Sequence, residues 1–178
     1  MNVIIIHGVG GHPQENWFPW LKKELEEIGH KVGIPQFPKP ETLPSWLEII
    51  KAYNIDKETI LVGHSLGVPF ILNILEKSVC HSAFLVSGFV GKLDNEFDNV
   101  TKTFAQKEFE WSSIKKNCSH FEIFHSDNDP FVKIEKAYEL QKNLNCELTI
   151  IKNGGHLNQS SGFTKFSELL KKIKKIKN

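Results

Sequence analysis

A strand-turn-helix signature lies at Thr59-Ile60-Leu61-Val62-Gly63-His64-Ser65-Leu66-Gly67. An apolar run with strand character precedes the turn, and residues 66–75 form an apolar run with helical character. Glycines two positions before and after Ser65 let the strand and the helix crowd together, so that a serine hydroxyl projects from the tip of the turn. Because serine is a weak nucleophile until it is presented to a base, the pattern makes Ser65 the candidate nucleophile.

Short apolar runs alternate with helical patterns along the whole chain. Runs typical of strands lie near 2–6, 31–34, 59–62, 82–86, 120–124 and 147–151. Such alternation favours βαβ units with right-handed crossovers. The sequence therefore predicts an α/β fold with about six mostly parallel strands, helices on both faces, and ligands bound at the carboxyl ends of the strands. No linker composition divides the chain, so we expect a single domain over 1–178.

Composition narrows the class of partner. The net charge is +1 among 178 residues, so no global field would attract nucleic acid or an anionic membrane, and small molecules are the expected ligands. The lysines near the C-terminus surround an apolar stripe from Phe163 to Ile176, which predicts an amphipathic helix with a solvated charged face.

The cysteines and the N-terminus indicate a cytoplasmic protein. Cys80, Cys118 and Cys146 are widely spaced and match neither a zinc motif nor a disulfide framework, so we expect reduced thiols and no metal. The apolar run near the N-terminus is short and lacks a preceding basic region, which argues against a signal peptide.

The connection between the fourth and fifth predicted strands is longer than a crossover requires. It contributes five aromatic residues, and we expect a small lid over 88–117 whose aromatics line a substrate pocket, with Phe104, Phe109 and Trp111 as the candidate lining residues. The alternative is a longer helical connection with its own minor core.

An acid and a base follow the later strands in the order that a serine hydrolase with parallel strands requires. Asp129 stands in an acidic turn after the fifth predicted strand, and it is the candidate orienting acid. His156 follows paired glycines after the sixth strand, and it is the candidate general base. Asp127 lies only two residues from Asp129, but Val132 and Pro130 favour Asp129 because the acid usually lies three residues before a valine and the proline restricts its backbone.

The oxyanion of such a reaction needs backbone N–H donors. We expect Leu66 to supply the first donor, and the loop His7-Gly8-Val9-Gly10-Gly11 to supply the second from Val9 or from Gly10. A dinucleotide loop would need glycine at Pro13, and a calcium loop would need glycine at Val132 and glutamate at Tyr138, so no cofactor is expected.

The sequence resembles a family of small α/β-hydrolase-fold serine hydrolases that includes retinoblastoma-binding protein 9 and many bacterial relatives. The segments that carry the resemblance are 17–25, 57–67, 111–118, 129–131 and 155–156. The resemblance implies a compact sheet and a nucleophile, acid and base at Ser65, Asp129 and His156. The human member has a Leu-x-Cys-x-Glu sequence before the nucleophile strand, where this chain has Tyr53-Asn54-Ile55-Asp56-Lys57, so we expect no retinoblastoma-type partner.

These observations predict a carboxylesterase-like serine hydrolase that cleaves a small ester, thioester or amide through an acyl-serine intermediate. The alternative function is a catalytically silent module that retains the fold and binds a ligand or a protein in its pocket.

Overall fold

One six-stranded sheet organises the computed structural model, which describes residues 1–176. The strands are β1 (Asn2–Ile6), β2 (Lys31–Gly33), β3 (Thr59–His64), β4 (Cys80–Val86), β5 (Cys118–Ser126) and β6 (Glu147–Ile151). Their order across the sheet is β2-β1-β3-β4-β5-β6, and all five pairings are parallel. The predicted α/β class and strand positions are confirmed.

Seven α-helices within residues 1–176 cover the two faces of the sheet. They are α1 (Phe18–Glu26), α2 (Leu43–Ile50), α3 (Gly67–Leu75), α4 (Asp98–Ala105), α5 (Trp111–Asn117), α6 (Ile134–Leu144) and α7 (Ser167–Ile173). Residues from α1 and α7 form one apolar core, and residues from α2 to α6 form the core on the other face. Helix α2, whose first turn is capped by the Thr42 hydroxyl, was not predicted from the sequence.

Successive residues of a strand point to opposite faces of the sheet, so each strand contributes side chains to both apolar cores. In β1, Val3 and Ile5 join the core beneath α1 and α7, whereas Ile4 and Ile6 join the other core. A parallel strand covered on both faces must be apolar at every position, which accounts for the continuous run in β1. Helix α3 is buried at all nine positions because it packs on the middle of the sheet.

The order of the strands positions the functional site. From β1 the chain first crosses to β2 at one edge, and then returns to place β3 on the opposite side of β1. This reversal opens a crevice outside the carboxyl ends of β1 and β3, where open α/β sheets bind ligands. The loop after β1 and the turn that contains Ser65 border this crevice.

The long connection after β4 contains the two short helices α4 and α5 rather than one long helix. The last helix, α7, is shorter than the predicted stripe, since Phe163 and Phe166 precede it and Ile176 follows it. A turn of 3-10 helix lies before the stripe at Gln159–Ser161. Lys177, which the sequence analysis includes in that helix, lies outside the described residues. No helix within residues 1–176 has the length and apolar character needed to cross a membrane.

Candidate active site

Ser65 occupies the tip of a strained turn between β3 and α3. Its φ is +54°, in the left-handed region that residues with a Cβ rarely adopt. The turn is held because the Ser65 amide donates to the Val86 carbonyl at 2.9 Å and the Val68 amide donates to the Ser65 carbonyl at 3.0 Å. A left-handed serine at this point keeps its side chain out of both the strand and the helix.

The two glycines of the motif are required by close approach. A Cβ at Gly67 would collide with the carbonyl oxygen of Ile6 on the neighbouring strand. A Cβ at Gly63 would lie 2.8 Å from the Gly67 carbonyl oxygen, well inside normal contact. The turn can therefore be this tight only with glycine at both positions, as the motif predicts.

Asp129 and His156 are hydrogen-bonded, with 2.7 Å between Asp129 Oδ2 and His156 Nδ1. The other carboxylate oxygen accepts the amides of Phe131 at 2.9 Å and Val132 at 3.0 Å. Burial alone would raise the pKa of the Asp129 carboxyl, but His156 and the two amides outweigh burial and lower it. The side chain is therefore an ionised, fully buried carboxylate that holds the imidazole from behind.

Three consecutive side chains after β5 fix the loop that carries His156. Ser126 Oγ accepts the Gly154 amide, Asp127 Oδ1 accepts the Asn153 amide, and Asn128 Oδ1 accepts the Gly155 amide, each at 2.8 Å. The paired glycines alone would leave the loop loose. Three consecutive side-chain acceptors bind three consecutive amides and make the loop a defined platform. This arrangement was not predicted from the sequence.

Buried polar side chains also hold the backbone on the far side of His156. The His156 carbonyl accepts from His64 Nε2 at 2.9 Å and from the Ser87 hydroxyl at 3.2 Å. Trp17 Nε1 donates to the next carbonyl, that of Leu157, at 2.9 Å. Complete burial, and secondarily the nearby His156, lowers the pKa of His64 to about 3, so its ring is neutral and acts as a structural donor. The hydrogen-bond partner of His64 thus belongs to the loop of the candidate base.

The two candidate oxyanion donors in the loop after β1 differ in their hydrogen bonding. The Gly10 amide donates to Glu41 Oε1 at 2.9 Å, so it is engaged in this structure, which favours Val9 over Gly10 as the second donor. The amides of Val9 and Leu66 have no protein acceptor among residues 1–176. Buried His7 stiffens this loop, because its ring bonds the Gly8 carbonyl at 2.8 Å and accepts the Phe37 amide at 3.3 Å.

Ser65 and His156 line one cavity of about 200 Å³. One part of its wall is apolar and comes from the segment after β4 and the turn after Asp129, namely Phe89, Leu93, Phe97, Phe131 and Val132. The other part is polar and comes from the loop before α1 and the loop after His156, namely Glu15, Asn16 and Asn158. No cluster of three potential metal ligands is found in the described part of the chain.

The three predicted pocket aromatics do not line this cavity. Phe104 is fully buried, with its ring 5.0 Å from that of Trp46 and 6.1 Å from that of Phe70, so it belongs to the core. Phe109 and Trp111 pack on each other at a separate surface depression. The prediction is wrong for Phe104 because α4 presents Thr101 to the cavity, and Phe104 lies one turn further along the helix in the core. It is wrong for Phe109 and Trp111 because they follow α4 and lie at the separate depression.

The chain matches the family described as serine hydrolase over residues 3–175. It is 32% identical to the YdeN protein of Bacillus subtilis (strain 168), over 91% of this chain and 88% of that protein. It is 28% identical to the serine hydrolase RBBP9 of Rattus norvegicus, over 97% of this chain and 94% of that protein.

Solved structures give the same result for the fold. The crystal structure of the Bacillus subtilis YdeN gene product superposes with a TM-score of 0.91 at 30% identity, covering 97% of this chain and 96% of that one. Est1E of Butyrivibrio proteoclasticus, with ferulic acid bound, has a TM-score of 0.70 at 21% identity, covering 98% and 90% of the two chains. The fold is that of an α/β-hydrolase. Within that class, the chain belongs to the serine hydrolase family, as the resemblance predicted.

The two neighbouring carboxylates should differ sharply in their effect on turnover. In Asp129→Asn the amide oxygen would keep the Phe131 and Val132 amides, which turns the NH2 group toward His156 Nδ1 and favours the wrong tautomer. We predict a loss of about four orders of magnitude in kcat. Asp127→Asn is the matched control, since it keeps an oxygen for the Asn153 amide and should remain active. Comparing kcat with melting curves for both variants decides the assignment, and the reverse ranking would move the acid to Asp127.

Proposed function

We propose that this chain is a carboxylesterase-like hydrolase that cleaves a small ester, thioester or amide through an acyl-serine intermediate on Ser65. The observation that supports this most directly is the convergence of three elements on one cavity. They are a strained serine turn after β3, a buried carboxylate-imidazole pair after β5 and β6, and two unpaired backbone amides beside them. No cofactor is needed for the steps below.

In the first half-reaction, His156 Nε2 takes the Ser65 proton as Oγ bonds to the substrate carbonyl carbon. Asp129 holds the proton on Nδ1, which leaves the Nε2 lone pair free, and it stabilises the imidazolium that forms. The amides of Val9 and Leu66 donate to the oxyanion, each contributing about 3 kcal/mol of transition-state stabilisation. The bond to the leaving group then breaks, and His156 returns the proton to that group.

In the second half-reaction, water attacks the acyl-serine carbonyl while His156 accepts a water proton. Collapse of the second tetrahedral intermediate breaks the Ser65 ester bond and returns the proton to Oγ, which releases the carboxylic acid. The platform of Ser126, Asp127 and Asn128 keeps the imidazole in place for both proton transfers.

We propose that the protein acts in the cytoplasm, on the evidence of its cysteine usage, with Cys80, Cys118 and Cys146 present as free thiols. Its near-neutral charge supports a small-molecule acyl substrate in preference to nucleic acid or a membrane, and no retinoblastoma-type partner is proposed.

A fluorophosphonate probe should label Ser65 stoichiometrically, and Ser65→Ala should abolish both labelling and hydrolysis of p-nitrophenyl acetate. Loss of a serine nucleophile costs several orders of magnitude in rate. Ser119→Ala is the matched control, because Ser119 is exposed at the start of β5, away from the cavity, and this variant should label normally. Intact-protein and peptide mass spectrometry locate the adduct. Labelling of another serine, or full activity in Ser65→Ala, would favour the silent binding module.

The size of the cavity predicts a preference for short acyl chains. A volume of about 200 Å³ is below the usual range for drug-sized ligands, so kcat/KM for p-nitrophenyl esters should fall as the chain lengthens from acetate to octanoate. Phe131→Ala, which opens a partly exposed wall, should extend the tolerated length. Phe104→Ala should instead lower the unfolding free energy by about 3 to 5 kcal/mol and leave the length preference unchanged. A changed preference in a stable Phe104→Ala variant would return Phe104 to the pocket.

A further inference from the structure

Glu15 gives the cavity a negatively charged wall that the proposed chemistry does not use. Within the described residues, it is the one acidic side chain that lines the cavity with Ser65 and His156. Its side chain is 24% exposed, and it folds back over Gly11, where an added Cβ would lie 2.6 Å from Oε1. The side chain therefore lies against the loop after β1, borders the cavity and is only partly exposed to solvent.

This carboxylate lacks a strong cationic partner. It accepts a hydrogen bond from Asn16 Nδ2 at 3.3 Å, and within residues 1–176 it forms no ion pair with a lysine; the mostly exposed His12 lies 3.9 Å away. Burial raises the pKa of the Glu15 carboxyl against the opposing influence of His12. A half-buried carboxylate in this state is less stable than one paired with a cation.

Two glutamates whose side chains are less exposed than that of Glu15 are paired with lysine. Glu122, 2% exposed, forms an ion pair with Lys172, and Glu76, with its side chain 12% exposed, forms one with Lys107 at 2.5 Å. Glu15 differs because it faces an open cavity where a ligand can supply the positive charge. The favourable charge interaction that a lysine would make with the Glu15 carboxylate is therefore available to a cationic ligand.

Glu15 lies on the side of the cavity toward which the leaving group departs. In acyl transfer the leaving group takes its proton from the general base, so it departs on the side of His156. Asn158, two residues after His156, lines the same polar wall as Glu15. The Gln159 amide also donates to Asn16 Oδ1 at 2.9 Å, which joins the Glu15 loop directly to the loop after His156.

We propose that Glu15 determines specificity for substrates whose leaving group is cationic, such as esters of amino alcohols. This inference rests on the proposed hydrolase function and names its substrate class. The apolar wall from Phe89 to Phe97 receives the small acyl group, and the ammonium lies against the Glu15 carboxylate. The attraction acts at long range compared with a hydrogen bond, so a quaternary ammonium that lacks N–H donors is also favoured.

Two isosteric esters test the proposal, namely acetylcholine and its uncharged analogue 3,3-dimethylbutyl acetate. The ratio of their kcat/KM values should favour the cation by about tenfold in the wild type and fall to about one in Glu15→Gln. Glu27→Gln is the matched control, because it removes the same charge from an exposed site at the end of α1 and should leave the ratio unchanged.

A second isosteric pair places the charge in the acyl group, namely betaine ethyl ester and ethyl 3,3-dimethylbutanoate. If Glu15→Gln changes only the ratio for this pair, the assignment of Glu15 to the leaving group is overturned. Hydrolysis of the uncharged acetate with no cation preference would overturn the role of Glu15 and leave the hydrolase function standing. Failure to hydrolyse any of the esters, together with no fluorophosphonate labelling of Ser65, would overturn both.

Discussion

The hydrogen bond between Asp129 and His156 is the interaction on which the rest of the site depends. It joins the loops after β5 and β6 at the carboxyl edge of the sheet, and it is almost fully buried. Most of the other polar contacts nearby hold one of its two partners in place. Backbone amides saturate Asp129 from the turn that follows it, while the Ser126, Asp127 and Asn128 side chains and the His64 ring hold the backbone around His156.

Strained backbone is concentrated around the same bond. Ser65, Ser87 and Leu157 are all left-handed although none is glycine, with φ of +54°, +49° and +48°. Each such residue costs on the order of 1 to 3 kcal/mol, and it persists only where its surroundings determine its conformation. Here two apolar cores support it from the two faces of the sheet. The strain is consistent with a site that is organised before substrate arrives, which reduces the reorganisation needed during reaction.

Local patterns were sufficient to predict the sheet and the positions of Ser65, Asp129 and His156. Each strand is a short apolar run, and parallel order brings the residues that follow the strands to one edge, so linear order determines their proximity. The cavity wall could not be predicted in this way. Whether an aromatic residue such as Phe104 faces a cavity or the core depends on the rotation and placement of a short helix, here against Trp46 and Phe70. The contacts of His64 and Trp17 with the His156 loop span 92 and 140 residues and have no local signal.

The tautomer of His156 tests the central role of the Asp129 bond most directly. Long-range proton-nitrogen correlation spectra of the protein labelled with ¹⁵N-histidine distinguish the two ring nitrogens at a pH where the ring is neutral. The account predicts a proton on Nδ1, bonded to Asp129, and a free lone pair on Nε2 that can take the Ser65 proton. A neutral His156 with its proton on Nε2 would contradict the account, because that ring could neither donate to Asp129 nor act as the base toward Ser65.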